Sequence, residues 1–101
     1  MAQAAIAHTA LSSSVPAKGA VVESPTALTL EFGAEVKLAR VQIVPADGES
    51  LTLPLDRGAP PSKKMVVTVP KPLVPGKHTV KWRAVADDGH VMTGDFTFSV
   101  K

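Results

Sequence analysis

Hydrophobic and polar residues alternate along several short segments of this chain, and turn-forming residues separate those segments. In the segment 27–32, for example, the apolar residues Leu28, Leu30 and Phe32 occupy every second position. A two-residue period of this kind predicts a β-strand with one buried face. No segment sustains the 3.6-residue period of an amphipathic helix, so we expect an all-β protein. The inward positions predicted in this way are Leu28, Leu30, Phe32, Val80, Trp82, Ala84, Phe96, Phe98 and Val100.

The same pattern predicts about seven short strands. The predicted strands are 9–13, 27–32, 40–44, 50–53, 64–69, 77–86 and 94–100. The segment 64–69 is almost continuously apolar, which predicts a strand covered on both faces. Asp47-Gly48 and the segment 16–19 carry turn residues. Strands at this spacing favour a Greek-key β-barrel or β-sandwich.

Length and composition are typical of a single domain. The chain has 101 residues, 45% of them hydrophobic, which suffices for one core. It has 11 basic and 9 acidic residues, and the basic residues are scattered along the sequence without a clear docking face. A nucleic-acid interface would show a basic stripe with stacking aromatic residues, so we expect no nucleic-acid partner. The absence of cysteine excludes disulfides and thiolate metal sites.

Asp88 and His90 are the residues with the most evident chemistry. They lie two positions apart after the longest predicted strand, and Gly89 between them adds no bulk. In extended backbone such residues point to the same side, with Cα atoms roughly 6.5–7 Å apart, so that both side chains can approach one metal ion. The alternative is that Asp87–Gly89 is an ordinary turn and His90 a polar strand residue.

His8 follows Ala5-Ile6-Ala7, a small-x-small pattern that precedes signal-peptidase cleavage sites. Residues 1–7 are therefore either the remnant of a signal peptide or a cloning leader. If His8 begins the mature protein, its α-amine and Nδ1 can chelate one metal ion. With a nitrogen from His90 and an oxygen from Asp88, this set favours Cu(II). Otherwise, His8 is an ordinary terminal residue.

Three further residues are left open as additional ligands. His78 shares a face with inward residues, which favours a hydrogen-bonded core imidazole over a ligand. Met92 is expected to pack in the core, and Glu35 to lie at the surface. The chain lacks the glycines of a nucleophile elbow around Ser12–Ser14 and has no phosphate-binding loop, so no enzyme activity is expected.

The sequence resembles the CopC family of periplasmic copper-binding proteins over residues 8–101. The resemblance rests on His8-Thr9-Ala10-Leu11, Ser13–Gly19, Leu28–Phe32, Pro72–Gly76, Trp82–Val85, Asp88-Gly89-His90, Thr93-Gly94 and Phe96–Phe98. It implies a Greek-key β-barrel of the cupredoxin-like or immunoglobulin-like kind. It also implies one Cu(II) per chain, held by the amine and imidazole of His8, by Asp88 and by His90.

The resemblance further implies a periplasmic Cu(II)-binding protein that serves copper sequestration, resistance or delivery. Its partners would be a membrane copper transporter of the CopD type or another periplasmic copper protein. Some relatives carry a Cu(I)-binding loop rich in Met and His, but the corresponding residues 41–55 contain neither. We therefore expect no separate Cu(I) site. Many relatives also have a Glu soon after Phe32, where this chain has Ala34 followed by Glu35.

Two other functions compete with copper carriage. The first is a metal-free, immunoglobulin-like structural or adhesion module, which would bind no Cu(II). The second is a histidine-brace copper oxygenase, which also uses an N-terminal His on a β-sandwich. The short chain and the absence of Tyr disfavour the oxygenase.

Overall fold

The computed structural model describes residues 11–101, and every regular element in that range is a β-strand. The strands are β1 (Leu11–Val15), β2 (Val21–Val22), β3 (Ala27–Pro45), β4 (Leu51–Thr52), β5 (Ser62–Thr68), β6 (Gly76–Ala86) and β7 (Val91–Val100). The all-β prediction is confirmed, with seven strands. Over this range there is no helix long and apolar enough to cross a membrane.

The strand order in the sheet is β1-β3-β6-β7-β2, and β4 and β5 also pair with β3. All pairings are antiparallel except that of β2 with β7. The two-residue β2 was not predicted, because two apolar residues are too short to show a period. The longest pairing is the hairpin of β6 and β7, which brings Val80 opposite Phe96 and Trp82 opposite Gly94.

β3 joins two segments that were predicted as separate strands, 27–32 and 40–44. Its first half pairs with β1 and β5, and its second half pairs with β6 and β4. The separation was wrong because residues 33–35 are all exposed and show no alternation. The pairing with β5 skips them, since Glu31 lies opposite Lys64 and the next pair is Val36 with Ser62.

The core lies between the two halves of this curled sheet. All nine predicted inward residues are buried. They are joined there by Val36, Val41, Ile43, Leu53, Val67 and Val69. Phe32 and Trp82 meet edge to face, with ring centroids 5.1 Å apart. This contact ties the first half of β3 to the middle of β6.

β5 is covered on one face only, so the prediction of a doubly covered strand was wrong. Val67 is buried, whereas Val66 is 66% exposed and Lys64 is also exposed. β5 pairs with β3 only. Of its two adjacent valines, Val67 points into the core and Val66 points to solvent. An apolar run does not distinguish that arrangement from burial on both faces.

Candidate metal centre

Asp88 and His90 lie in the turn that joins β6 to β7. The Ala86 N–H donates to the His90 carbonyl at 2.8 Å, and the Gly89 N–H donates to the Ala86 carbonyl at 2.9 Å. Gly89 has a φ of +89°, a conformation that side chains with a Cβ rarely adopt. These features are typical of a three-residue hairpin loop that ends in a glycine bulge.

The two side chains contact each other directly. His90 Nδ1 lies 2.6 Å from Asp88 Oδ2, and the His90 backbone N–H donates to Asp88 Oδ1 at 3.1 Å. The two-residue spacing predicted that the pair would converge through extended backbone. The structure instead brings them together through the turn, because the Asp88 carboxylate folds back onto the residue two positions ahead, as in an Asx-turn.

The electrostatics of the pair follow from these contacts. The His90 backbone N–H, and after it the His90 side chain, lower the pKa of the Asp88 carboxyl below its usual value. Both side chains are accessible, His90 at 80% and Asp88 at 63%. The carboxylate therefore stays charged in mild acid and faces solvent.

The arrangement leaves one imidazole nitrogen of His90 without a hydrogen-bond partner in the described range, 11–101. An ionised carboxylate has no hydrogen and can only accept hydrogen bonds. In this short contact His90 Nδ1 is therefore the donor, so Nδ1 carries the proton of a neutral His90. Nε2 then offers its lone pair outward. A carboxylate that holds one ring nitrogen while the other binds a metal is a common arrangement around protein metal ions. Asp88 also keeps further oxygen lone pairs that can bind a metal directly.

Asp88 and His90 together supply too few donors for a complete site. Among residues 11–101 there is no group of three or more His, Cys, Asp or Glu side chains placed to hold one metal ion. The third predicted ligand, His8, lies outside the described residues. A tight site at this turn therefore needs a donor from elsewhere.

His78 and Met92, both left open as ligands, are engaged elsewhere. His78 is 2% exposed, its Nε2 lies 2.7 Å from the Val74 carbonyl oxygen, and its ring stacks on Phe98. The predicted core role of His78 is confirmed. Eight residue steps along β6 lead from His78 to Ala86, a distance of about 26 Å in an extended strand. Met92 is partly buried and packs against the core, also as predicted.

Glu35 is exposed in the part of β3 that skips its pairing with β5. It belongs to no three-residue group of possible ligands in the described part of the chain. Its expected place at the surface is confirmed.

The first residue of β1 and part of β7 line the same groove, although the two strands do not pair. Leu11 lines a groove of about 530 Å³ together with Trp82, Thr93 and Gly94. β1 runs antiparallel to β3, from Leu11 opposite Phe32 to a last pair at Thr29. Its first residue is therefore at the end nearer Val36, the residue that pairs with Ala86 beside the turn.

Gly94 and Trp82 both line this groove and pack against each other. The sequence did not predict this contact. A Cβ on Gly94 would lie 2.6 Å from Trp82 Cζ2 and 2.8 Å from Cε2. The indole ring thus covers the Gly94 backbone. A glycine within an otherwise regular strand was the only signal in the sequence.

A family model described as the CopC domain matches residues 11–101. This chain belongs to the CopC family. Its relatives include Protein YobA from Escherichia coli strain K12, 38% identical over 94% of this chain and 80% of that protein. Copper resistance protein C from Escherichia coli is 35% identical over 100% of this chain and 87% of the relative.

Solved structures show the same fold. CopC from Methylosinus trichosporium OB3b superposes with a TM-score of 0.76 at 26% identity, covering 93% of this chain and 94% of that one. PcoC, described as a methionine-rich copper resistance protein from Escherichia coli, gives a TM-score of 0.69 at 32% identity. It covers 94% of this chain and 100% of its own. The resemblance stated from the sequence is confirmed, as is the β-sandwich architecture.

Proposed function

We propose that this CopC family member is a periplasmic protein that binds one Cu(II) for sequestration, resistance or delivery, without catalysis. The proposed ligands are His8, Asp88 and His90. The observation that carries the proposal is the contact between Asp88 and His90 on an exposed turn, where His90 Nε2 has no hydrogen-bond partner among residues 11–101. Relatives of this chain are named copper resistance proteins.

The proposed contribution of His8 is supported by the position of Leu11. Three residues of extended chain span at most about 10 Å. Leu11 lines the same groove as Thr93, which is itself three residues beyond His90. A chain entering β1 at this end is therefore within reach of the turn. We propose that residues 1–7 are removed, so that domain 8–101 begins with a free amine.

The donor chemistry favours Cu(II). An amine, two imidazole nitrogens and a carboxylate oxygen are the N,O ligands of square-planar or tetragonal copper. Met65 and Met92 pack against the core, and the only other methionine is Met1. Residues 41–55 contain no methionine or histidine. The proposal therefore includes no separate Cu(I) site.

A Cu(II) titration followed by EPR tests the proposal on two forms of the chain, one beginning at His8 and the other at Met1. We expect tight one-to-one binding and a tetragonal, nitrogen-rich spectrum for the first form. The second form should bind more weakly, because its His8 nitrogen is an amide. Equal affinity of the two forms, or weak binding at several sites in both, would contradict the His8 assignment.

Two substitutions separate the proposed roles of Asp88. Asp88→Ala removes both the metal oxygen and the acceptor of His90 Nδ1, whereas Asp88→Asn keeps an acceptor but is a poor Cu(II) ligand. If Asp88 binds copper, both variants should lose about tenfold or more in affinity. If the Asp88→Asn variant keeps wild-type affinity, Asp88 only positions His90. His90→Ala should abolish tight binding in either case.

A further inference from the structure

The outer face of the central strands carries five exposed basic side chains, which we call the basic face. Its members are Lys37 and Arg40 on β3, Arg57 in the loop after β4, and Lys81 and Arg83 on β6. These residues are scattered in the sequence, and the fold brings them to the same side of the sheet.

A β-bulge at Ala39 assembles the β3 part of the basic face. Leu38 lies opposite Ala84 and Arg40 opposite Arg83, so Ala39 has no opposite residue. In a regular strand Lys37 and Arg40 would point to opposite faces, because they are three positions apart. Because Ala39 is an extra residue, Lys37 and Arg40 point to the same face of the sheet. Both of their side chains are exposed, whereas Leu38 packs against the core.

Positive charges on the basic face are placed close together. Arg40 and Arg83 are directly opposite each other on paired strands, an arrangement that costs stability. Two hydrogen bonds hold Arg57 next to the β3 part of the basic face. Arg57 Nη1 donates to the Ala39 carbonyl at 2.8 Å, and Lys37 Nζ donates to the Arg57 carbonyl at 3.4 Å.

No carboxylate neutralises this cluster at ion-pair distance. Over residues 11–101 the ion pairs within 4.0 Å are His90 with Asp88 and Lys101 with Glu23. Asp95 lies opposite Lys81 in the register but makes no such contact. The basic residues of the face therefore outnumber the nearby carboxylate of Asp95, and this excess of positive charge attracts acidic molecules.

The basic face borders the Asp88–His90 turn. Lys37 is opposite Val85, and Val85 is opposite Val91, the residue after His90. Two strand spacings amount to about 10 Å. A shallow groove of about 420 Å³ also runs over this face, lined by Arg40, Lys81, Arg83 and Thr93 among others.

We infer that the basic face is the docking surface for an acidic segment of the protein that exchanges copper with this chain; this inference rests on the proposed function. Arginine side chains bind carboxylates through two parallel hydrogen bonds, which suits Asp and Glu side chains of a partner. A membrane surface fits less well, because the groove is concave, whereas a bilayer surface is flat.

Binding of a fluorescein-labelled oligo-glutamate peptide to the full chain, measured by anisotropy, tests the inference. We expect binding that weakens as ionic strength rises. The double variant Arg40→Glu/Arg83→Glu should lower the affinity about tenfold or more, whereas Arg40→Lys/Arg83→Lys should retain most of it. The matched control Lys71→Glu/Lys101→Glu changes the net charge equally on residues away from the basic face. It should have less than about a twofold effect.

The inference is overturned if both charge-reversed pairs weaken binding equally, because the net charge alone would then explain it. It is also overturned if the wild-type chain binds phosphatidylglycerol vesicles but not oligo-glutamate. Circular dichroism checks that each variant is folded. Cu(II) titration of Arg40→Glu/Arg83→Glu should match wild type, since neither residue contacts the turn. Oligo-glutamate binding by a chain that fails to bind Cu(II) would disprove the proposed function and leave the docking surface intact.

Discussion

At the scale of single residues, the Asp88–His90 contact defines the chemistry of the turn. A short hydrogen bond from His90 Nδ1 selects the tautomer in which Nε2 carries no hydrogen and its lone pair is available to a metal ion. The backbone N–H of His90 binds the other carboxylate oxygen. One aspartate thus stabilises the loop and orients the imidazole at the same time.

The first prediction concerns the titration of Asp88. Its pKa is lowered in the folded chain, first by the His90 backbone N–H and then by the His90 side chain. The resulting stabilisation of the turn is fully present above the ordinary aspartate pKa, ~3.9, and is lost as pH falls through the lowered value. The ¹³C shift of the Asp88 carboxyl, followed against pH, should have its midpoint below ~3.9.

His90→Ala provides the control for this titration. It removes the side-chain hydrogen bond but keeps the backbone donor, so the midpoint should rise only part of the way. A wild-type midpoint at or above ~3.9 would show that the contact is absent in solution. Because Asp88 stays ionised at pH 5–7, any loss of copper in that range would come from protonation of the nitrogen donors.

At the scale of elements, the β6–β7 hairpin supports the turn through close packing of Trp82 on Gly94. The two residues are opposite each other in the register, and the indole lies over the Gly94 backbone. This contact requires a residue without a side chain. It also connects the hairpin to β3, through the edge-to-face contact of Trp82 with Phe32.

Gly94→Ala should therefore destabilise the fold. The new Cβ would lie 2.6 Å from Trp82 Cζ2, and the indole must move within a packed core. We expect the free energy of unfolding to fall by about 1–3 kcal/mol, measured by urea denaturation. Gly33→Ala is the matched control, because nothing lies within 4 Å of a Cβ there. Equal stability of the two variants would mean that the indole does not cover Gly94.

At the scale of the whole molecule, the two described histidines lie far apart and differ in environment. His78 is near the start of β6, and His90 is in the turn that follows the end of β6. His78 is buried, bonded to the Val74 carbonyl and stacked on Phe98, and its Nδ1 has no partner among the described residues. His90 is exposed on the turn. One histidine packs in the core, and the other is the proposed copper ligand.

Paired alanine substitutions should separate these roles. His78→Ala removes a packed ring and leaves the Val74 carbonyl without its donor, so it should cost about 2–4 kcal/mol of unfolding free energy. Its Cu(II) affinity, measured on folded protein, should be unchanged. His90→Ala should change stability by no more than about 0.5 kcal/mol and abolish tight Cu(II) binding. Loss of copper in folded His78→Ala protein would contradict this division.

Much of the fold was predictable because its signals are local. A two-residue period identifies a strand and its inward face from five or six neighbouring residues, which is why all nine predicted core positions are buried. The same reasoning placed His78 in the core. The spacing of Asp88 and His90 around Gly89 likewise singled out the turn, although the ligand set itself remains a proposal.

Tertiary structure alone decided the features that depend on pairing between distant segments. β3 continues through residues 33–35, and its two halves pair with different strands. No alternation of apolar and polar residues marks this continuity in the sequence. The Ala39 bulge has no signature in the sequence, yet it determines that Lys37 and Arg40 share a face with Arg83. Local periodicity establishes which residues face inward within a strand. Strand register determines which charges become neighbours, and register exists only once the sheet has formed.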